Sequence, residues 1–137
     1  MSRASIPKWI LVADDDDLVR QMWTEALDGA GYRTVEARSG REAIELMRTV
    51  APDLMILDLR MPDLTGGAVL QSIQARPILH RIPVLIISGF LEDEPAVDLK
   101  LNIVARLAKP ISLARLREAV AAALDHPPTS ARRPPYA

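Results

Sequence analysis

Cysteine is absent from the 137 residues. Disulfide scaffolds, Cys-ligated zinc, iron–sulfur clusters and thiol catalysis are excluded with it. Histidine is nearly absent as well. His80 and His126 are the only two, too few for a His-rich metal site. Long apolar runs are also missing, and no stretch approaches the roughly 20 apolar residues that span a bilayer. The run from Trp9 to Ala13 stops at four aspartates, too short for a signal-peptide core and without a small-residue cleavage pattern. A cytoplasmic protein is therefore expected. Neither sign of charge dominates. The formal net charge is −1, which leaves no bulk positive footprint for nucleic acid or a membrane. Lysine is scarce, with Lys8, Lys100 and Lys109 set against 14 arginines, so a lysine near a candidate site stands out.

What is present is an ordinary globular balance, 49% hydrophobic and 26% charged. A domain of this length buries roughly two-thirds of its unfolded surface and folds without staples. Short apolar runs alternate with helical periodicity. Ile10 to Ala13, Leu54 to Leu57 and Val84 to Ile87 read as buried strands, Arg33 to Ala37 as a second strand, and Val104 to Ala108 as a weaker fifth, interrupted by Arg106. Leu18, Met22, Ala26 and Leu27 recur at helical spacing ahead of Gly29 and Gly31. Ser39 and Glu42 fit a capping box for a second helix facing inward through Ala43, Ile44, Leu46 and Met47, which Pro52 stops. Gly66 and Gly67 open a third helix with Val69, Leu70 and Ile73 inward. A short fourth helix is expected over Pro95 to Leu101, and Ser112 caps a fifth carrying Leu113, Leu116, Val120 and Leu124. The chain divides into an extension over residues 1–8, one domain over 9–125 and a Pro-rich, disordered tail over 126–137. The fold class is α/β, a parallel sheet covered on both faces.

Ligands of such sheets bind beyond the carboxyl ends of the strands. The polar residues sit there. Asp14 and Asp15 follow the first strand, Asp58 the third, Ser88 the fourth and Lys109 the fifth. Three carboxylates in a small space repel one another unless a cation relieves them. A hard divalent ion such as Mg²⁺, or Mn²⁺ in its place, takes oxygen ligands and keeps several waters. Asp15 and Asp58 are the best direct ligands, Asp14 suits a water-mediated one, and the Arg60 backbone carbonyl could complete the set. Such a site suits phosphoryl transfer, in which a protein mainly positions groups and neutralises charge. Asp58 is the candidate nucleophile, Lys109 a point charge for a phosphoryl oxygen, and Ser88 a hydrogen-bond donor to another.

With these residues in place, the chain resembles the receiver domain of two-component response regulators. The matching stretches are ILVADDDD, PDLMILDLRMPDLTGG, IPVLIISGF and LAKPI, spanning roughly Trp9 to Leu124. The resemblance implies a flavodoxin-like, doubly wound (βα)5 fold with strand order 2-1-3-4-5. It implies Asp58 as phospho-acceptor, Asp14 and Asp15 as the acidic pair for Mg²⁺, and Ser88 as the switch hydroxyl. It also implies Lys109 as the phosphoryl-contacting lysine before a cis bond to Pro110, with Pro62 and Gly66 in the turn after the acceptor. The implied phosphodonor is a phosphohistidine of a sensor histidine kinase or a histidine phosphotransfer protein. Slow autodephosphorylation would reset the site, and output would pass to a downstream protein through the fourth helix, fifth strand and fifth helix. One departure stands out. The family usually carries Tyr or Phe three residues before the lysine, and here that position is Arg106. Either Arg106 is a contact on the output face, or a register displaced by one puts Ala105 or Leu107 in the slot.

Plainer readings accompany these. Asp16 and Asp17 suit a solvated turn and helix start, with Asp17 as N-cap. Ser88 before Gly89 suits turn chemistry, Lys109 a surface position and Arg106 an exposed strand position. His80 reads as a surface loop residue, Trp9 and Trp23 as packing or partly exposed aromatics with neither clearly placed near the site, and Arg132 and Arg133 as too few for nucleic acid. A stand-alone receiver or phosphorelay shuttle leads. The initial Met favours an N-terminal or complete chain, the short tail holds no DNA-binding domain, and if the chain is complete, output through protein contact is expected. An excised receiver of a larger regulator or hybrid kinase and a phosphorylation-independent interaction module are the alternatives. A metabolic phosphatase is remote, because a second Asp two positions after Asp58 is lacking.

Overall fold

The structure is a computed structural model, and it describes residues 6–89, 91 and 102–125, His80 by its backbone alone. Strands β1 (Trp9–Ala13), β2 (Arg33–Ala37), β3 (Leu54–Leu57), β4 (Val84–Ser88) and β5 (Ile103–Ala108) form one sheet in the order β2-β1-β3-β4-β5. All four pairings are parallel. Helices α1 (Asp17–Gly29), α2 (Gly40–Val50), α3 (Gly66–Gln74) and α4 (Leu113–Asp125) cover it, with a 3₁₀ turn at Leu79–Arg81 that includes His80. The fold is flavodoxin-like, with the strand order that the resemblance implied. The helix expected over Pro95 to Leu101 and the tail from His126 lie outside the described residues, and α4 is the helix that Ser112 was expected to cap.

The central strands β1, β3 and β4 are apolar on both faces because both faces are covered. Leu11, Ala13, Met55, Leu57, Val84 and Ile86 share one core cluster with Ala43 and Met47 of α2 and with Val69, Leu70 and Ile73 of α3. Ile10, Val12, Leu54, Ile56, Leu85 and Ile87 share the other with Trp23 and Leu27 of α1 and with Leu116 and Val120 of α4. Each fully buried Leu or Ile contributes about 1.5–3 kcal/mol relative to exposure.

Side-chain caps fix where the helices begin. Ser39 Oγ accepts from the Glu42 amide, while Glu42 Oε1 accepts from the Arg38 amide. Thr65 Oγ1 accepts from Ala68, and Ser112 Oγ from Arg115. At α1 the cap is Asp16 and not Asp17. Its Oδ1 accepts from the Leu18 and Val19 amides at 3.0 and 3.1 Å. The inward face of α1 also differs from the expected Leu18–Met22 stripe. Leu27 is buried, but Leu18 is 65% and Met22 43% exposed, and Arg20, Trp23 and Thr24 are buried in their place. Arg20 can face inward because each end of its guanidinium finds an acceptor, as the site shows.

Candidate functional site at the carboxyl edge of the sheet

Parallel pairing aligns the strand ends. Ala13 of β1 is in register with Ala37 of β2 and with Leu57 of β3. The ladder then runs one step past the strands. The Asp14 amide donates to Ala37 O, the Asp58 amide to Ala13 O, and the Lys109 amide to Ser88 O. Residues far apart in sequence are thereby held side by side at one edge.

Asp14 and Ser88 are fully buried, and Asp58 is 6% exposed. Both oxygens of Asp58 are engaged. Ser88 Oγ donates to Oδ1 at 2.7 Å, the Arg60 amide approaches the same oxygen at 3.3 Å, and Lys109 Nζ donates to Oδ2 at 2.9 Å. Lys109 Nζ also donates to Asp14 Oδ2 at 2.7 Å, and the Asp16 amide caps Asp14 Oδ1 at 2.9 Å. Asp15 is exposed at the rim. Burial pushes the Asp14 carboxyl above the ordinary carboxylate range, and the bonds from Lys109 and the Asp16 amide offset only part of that rise. Burial alone would lower the Lys109 ammonium. Its bonds to Asp14 and Asp58 outweigh burial and leave it above the ordinary lysine value.

One oxygen from each of Asp14, Asp15 and Asp58 lies within 4.8 Å of the others. Lys109 supplies one positive charge against these three carboxylates. An all-oxygen donor set with surplus negative charge and an exposed member fits a hard divalent cation that keeps part of its water shell.

Sequence reasoning missed two contributors. Arg20, 4% exposed, donates from Nη1 to the Asp14 carbonyl at 2.6 Å. Its Nε reaches Glu36 Oε1 at 2.8 Å and its Nη2 reaches Asp17 Oδ1 at 2.5 Å. That guanidinium holds the exposed Asp17 carboxyl below its ordinary range. The only signal in the sequence was an arginine among acidic residues, which a surface helix shows equally well. The second contributor is Trp23, which was not expected at the site. It is 3% exposed, and its ring centroid lies 5.7 Å from Lys109 Nζ.

The turn after Asp58 depends on Gly66. A Cβ there would lie 2.6 Å from Leu59 Cα and 3.0 Å from the Asp58 carbonyl oxygen. The Gly66 amide donates to Leu59 O at 2.7 Å, so α3 begins directly against the acceptor's backbone. Pro62 is exposed in that turn. The Lys109–Pro110 peptide bond is cis. Arg106 is exposed and in register with Ile86, while its neighbours Ala105 and Leu107 pack on the core cluster of α1 and α4. A register shift lies earlier in the pair, between Val84 and Leu85. No helix among the described residues is long and apolar enough to cross a membrane.

Comparison with known proteins places this geometry. The sequence profile of the response regulator receiver domain matches residues 10–121. The polar-differentiation response regulator DivK of Brucella anthropi is 29% identical over 117 residues, 84% of this chain and 94% of that protein. Among solved structures, the receiver domain of the Francisella response regulator 1452 is 29% identical with a TM-score of 0.74, covering 86% of this chain and 97% of its own. The chemotaxis response regulator CheY4 of Vibrio cholerae is 25% identical with a TM-score of 0.77, covering 87% of this chain and 100% of its own.

Proposed function

The chain belongs to the response regulator receiver domain family, and from that premise we propose that Asp58 accepts a phosphoryl group from the phosphohistidine of a sensor histidine kinase or histidine phosphotransfer protein. It is a phosphoacceptor signalling receiver rather than a classical enzyme. The observation that carries the assignment to Asp58 is its carboxylate, held at the centre of the strand edge between Ser88 Oγ and Lys109 Nζ, beside Asp14 and Asp15.

In the forward step an Asp58 oxygen attacks phosphorus, the P–N bond to the donor imidazole breaks, and its electron pair returns to the ring nitrogen. Lys109 and Ser88 then hold two of the phosphoryl oxygens. In the resetting step water attacks phosphorus and the P–O bond breaks, which releases inorganic phosphate and restores the carboxylate. Asp15 and Asp58 directly, Asp14 through water and the Arg60 carbonyl would hold Mg²⁺, or Mn²⁺. The cation would neutralise charge on the transferring oxygens.

Leu18 and Met22 form an exposed apolar pair at i, i+4 on α1, close in sequence to Asp15, which suits docking of the phosphodonor. Output passes to a downstream protein through β5, α4 and the segment before β5. Neither a nucleic acid nor a membrane is assigned as partner, and the protein works in the cytoplasm. Residues 9–125 constitute the receiver, with 1–8 as an extension and 126–137 as a Pro-rich tail. Ser88 is the switch hydroxyl. Arg106, exposed in the slot where the family usually carries an aromatic ring, supports a narrower reading. An arginine has no aromatic ring to turn inward, so switching here proceeds without burial of a ring, as suits a phosphorelay shuttle.

Intact-protein mass after incubation with acetyl phosphate tests the acceptor. A Mg²⁺-dependent phosphoryl adduct is expected on the wild type and none on Asp58→Asn. An adduct that persists on the same peptide in Asp58→Asn would overturn the assignment.

A further inference from the structure

The chain has two tryptophans, Trp9 and Trp23. Trp23 projects from the buried face of α1 into the core cluster that also contains Val12, Ile87 and Leu116. At the carboxyl edge of the sheet its ring centroid lies 5.7 Å from Lys109 Nζ, within the range of a cation–π contact. An ammonium carries three N–H donors. Two of the Lys109 donors are directed at Asp14 and Asp58, at 2.7 and 2.9 Å. The lysine stem is flexible, with four rotatable carbons, and its side chain is 23% exposed. The two carboxylates alone would not fix it, because water competes for the ammonium. The indole excludes water on one side and offers the negative face of its π system.

We propose that Trp23 is a positioning residue for Lys109. Its ring holds the ammonium within reach of Asp58, and its emission reports when the ammonium turns to a phosphoryl oxygen. The inference rests on the reading of Lys109 as the phosphoryl contact. A role in packing alone would be met by any apolar side chain of similar bulk, whereas positioning requires a π face.

The test uses the full chain with Trp9→Phe, which leaves Trp23 as the only tryptophan, excited selectively over tyrosine. Beryllofluoride with Mg²⁺ serves as the phosphoryl analogue. Fluorine NMR reads its binding, and Trp23 emission is followed in the same titration. Bound fluoride signals with a saturable emission change at the same midpoint are expected. Trp23→Leu should weaken beryllofluoride binding roughly five-fold, while Trp23→Phe, which keeps a ring, should stay within about two-fold of the parent. Bound fluoride with unchanged Trp23 emission would overturn the inference and leave the proposed function standing. Equal affinity in the Leu and Phe variants would do the same. Absence of bound fluoride in the parent would overturn the proposed function and this inference with it. The emission arm leaves Trp23 in place, so it decides the matter even if Trp23→Leu fails to fold.

Discussion

Lys109 and Arg20 divide the electrostatic work of the site between them. Lys109 ties two carboxylates together by their side chains. Arg20 ties the backbone of Asp14 to α1 and to Glu36 at the end of β2. Its partners Asp17 and Glu36 are largely solvated, so the ion pairs themselves contribute little. The buried bond to the Asp14 carbonyl contributes more, because its loss leaves an acceptor without its donor. Arg20→Ala should therefore lower unfolding free energy by about 1–3 kcal/mol in urea titrations and slow labelling of Asp58. Arg20→Lys should not restore either, since one ammonium cannot reproduce a planar fork with three separate acceptors. At this scale the legible residues were those directly after apolar runs. Asp14, Asp15, Asp58, Ser88 and Lys109 all carry that mark, and the structure gathers them at one edge. Arg20 and Trp23 carry no such mark. Their inward placement goes with a helix whose N-cap falls one residue earlier than expected, at Asp16, and with acceptors supplied by other elements.

Helix starts govern the element scale. α3 abuts the backbone of Asp58 and Leu59 at Gly66, and the nearest atom, Leu59 Cα, belongs to main chain that cannot move aside. Gly66→Ala should cost about 1–3 kcal/mol as overpacking and should depress Asp58 labelling more than a remote variant of equal stability. Thermal melts paired with labelling rates check this. The start of α2 is held across the site-bearing loop, because Asp63 accepts from the Gly40 and Arg41 amides at 2.8 and 3.0 Å. Its slight burial would raise its pKa. The amides of Gly40, Arg41, Leu64 and Asp63 itself prevail and hold it below 3.8. A group depressed in the folded state stabilises above its unfolded value and loses that contribution as pH falls through the lower folded one. Wild type minus Asp63→Asn should thus show a stability difference at neutral pH that fades in acid below about pH 4. A difference unchanged at pH 2 would refute the linkage. The strands were legible as apolar runs bounded by Asp, Pro and Ser. The Leu18–Met22 face of α1 was misread because an exposed apolar pair repeats at the same spacing as a buried one.

For the whole molecule, the surplus negative charge at one edge opposes folding until a cation relieves it. Mg²⁺ that binds only the folded chain should add about 2.7 kcal/mol to unfolding at a concentration 100-fold above its dissociation constant. Asp15→Asn should lose most of that gain at the same concentration while remaining folded without the ion, because Asp15 is exposed. Denaturant titrations with and without Mg²⁺ measure both. Strand order was legible through the family resemblance. Periodicity alone implied a covered parallel sheet but could not order its strands, because the apolar runs of β1, β3 and β4 are interchangeable in character.

The ladder that continues past the strands also sets when the chemistry can first appear in the life of a chain. Asp14, Asp58 and Lys109 come together only through pairings of β1 with β3, β3 with β4 and β4 with β5. A chain still emerging from the ribosome presents Asp58 long before Lys109 has been synthesised. Until β5 docks, Asp58 lacks its ammonium partner. If Lys109 is the phosphoryl contact proposed above, a half-made or half-folded copy lacks that contact and should take up phosphoryl groups more slowly than finished copies do.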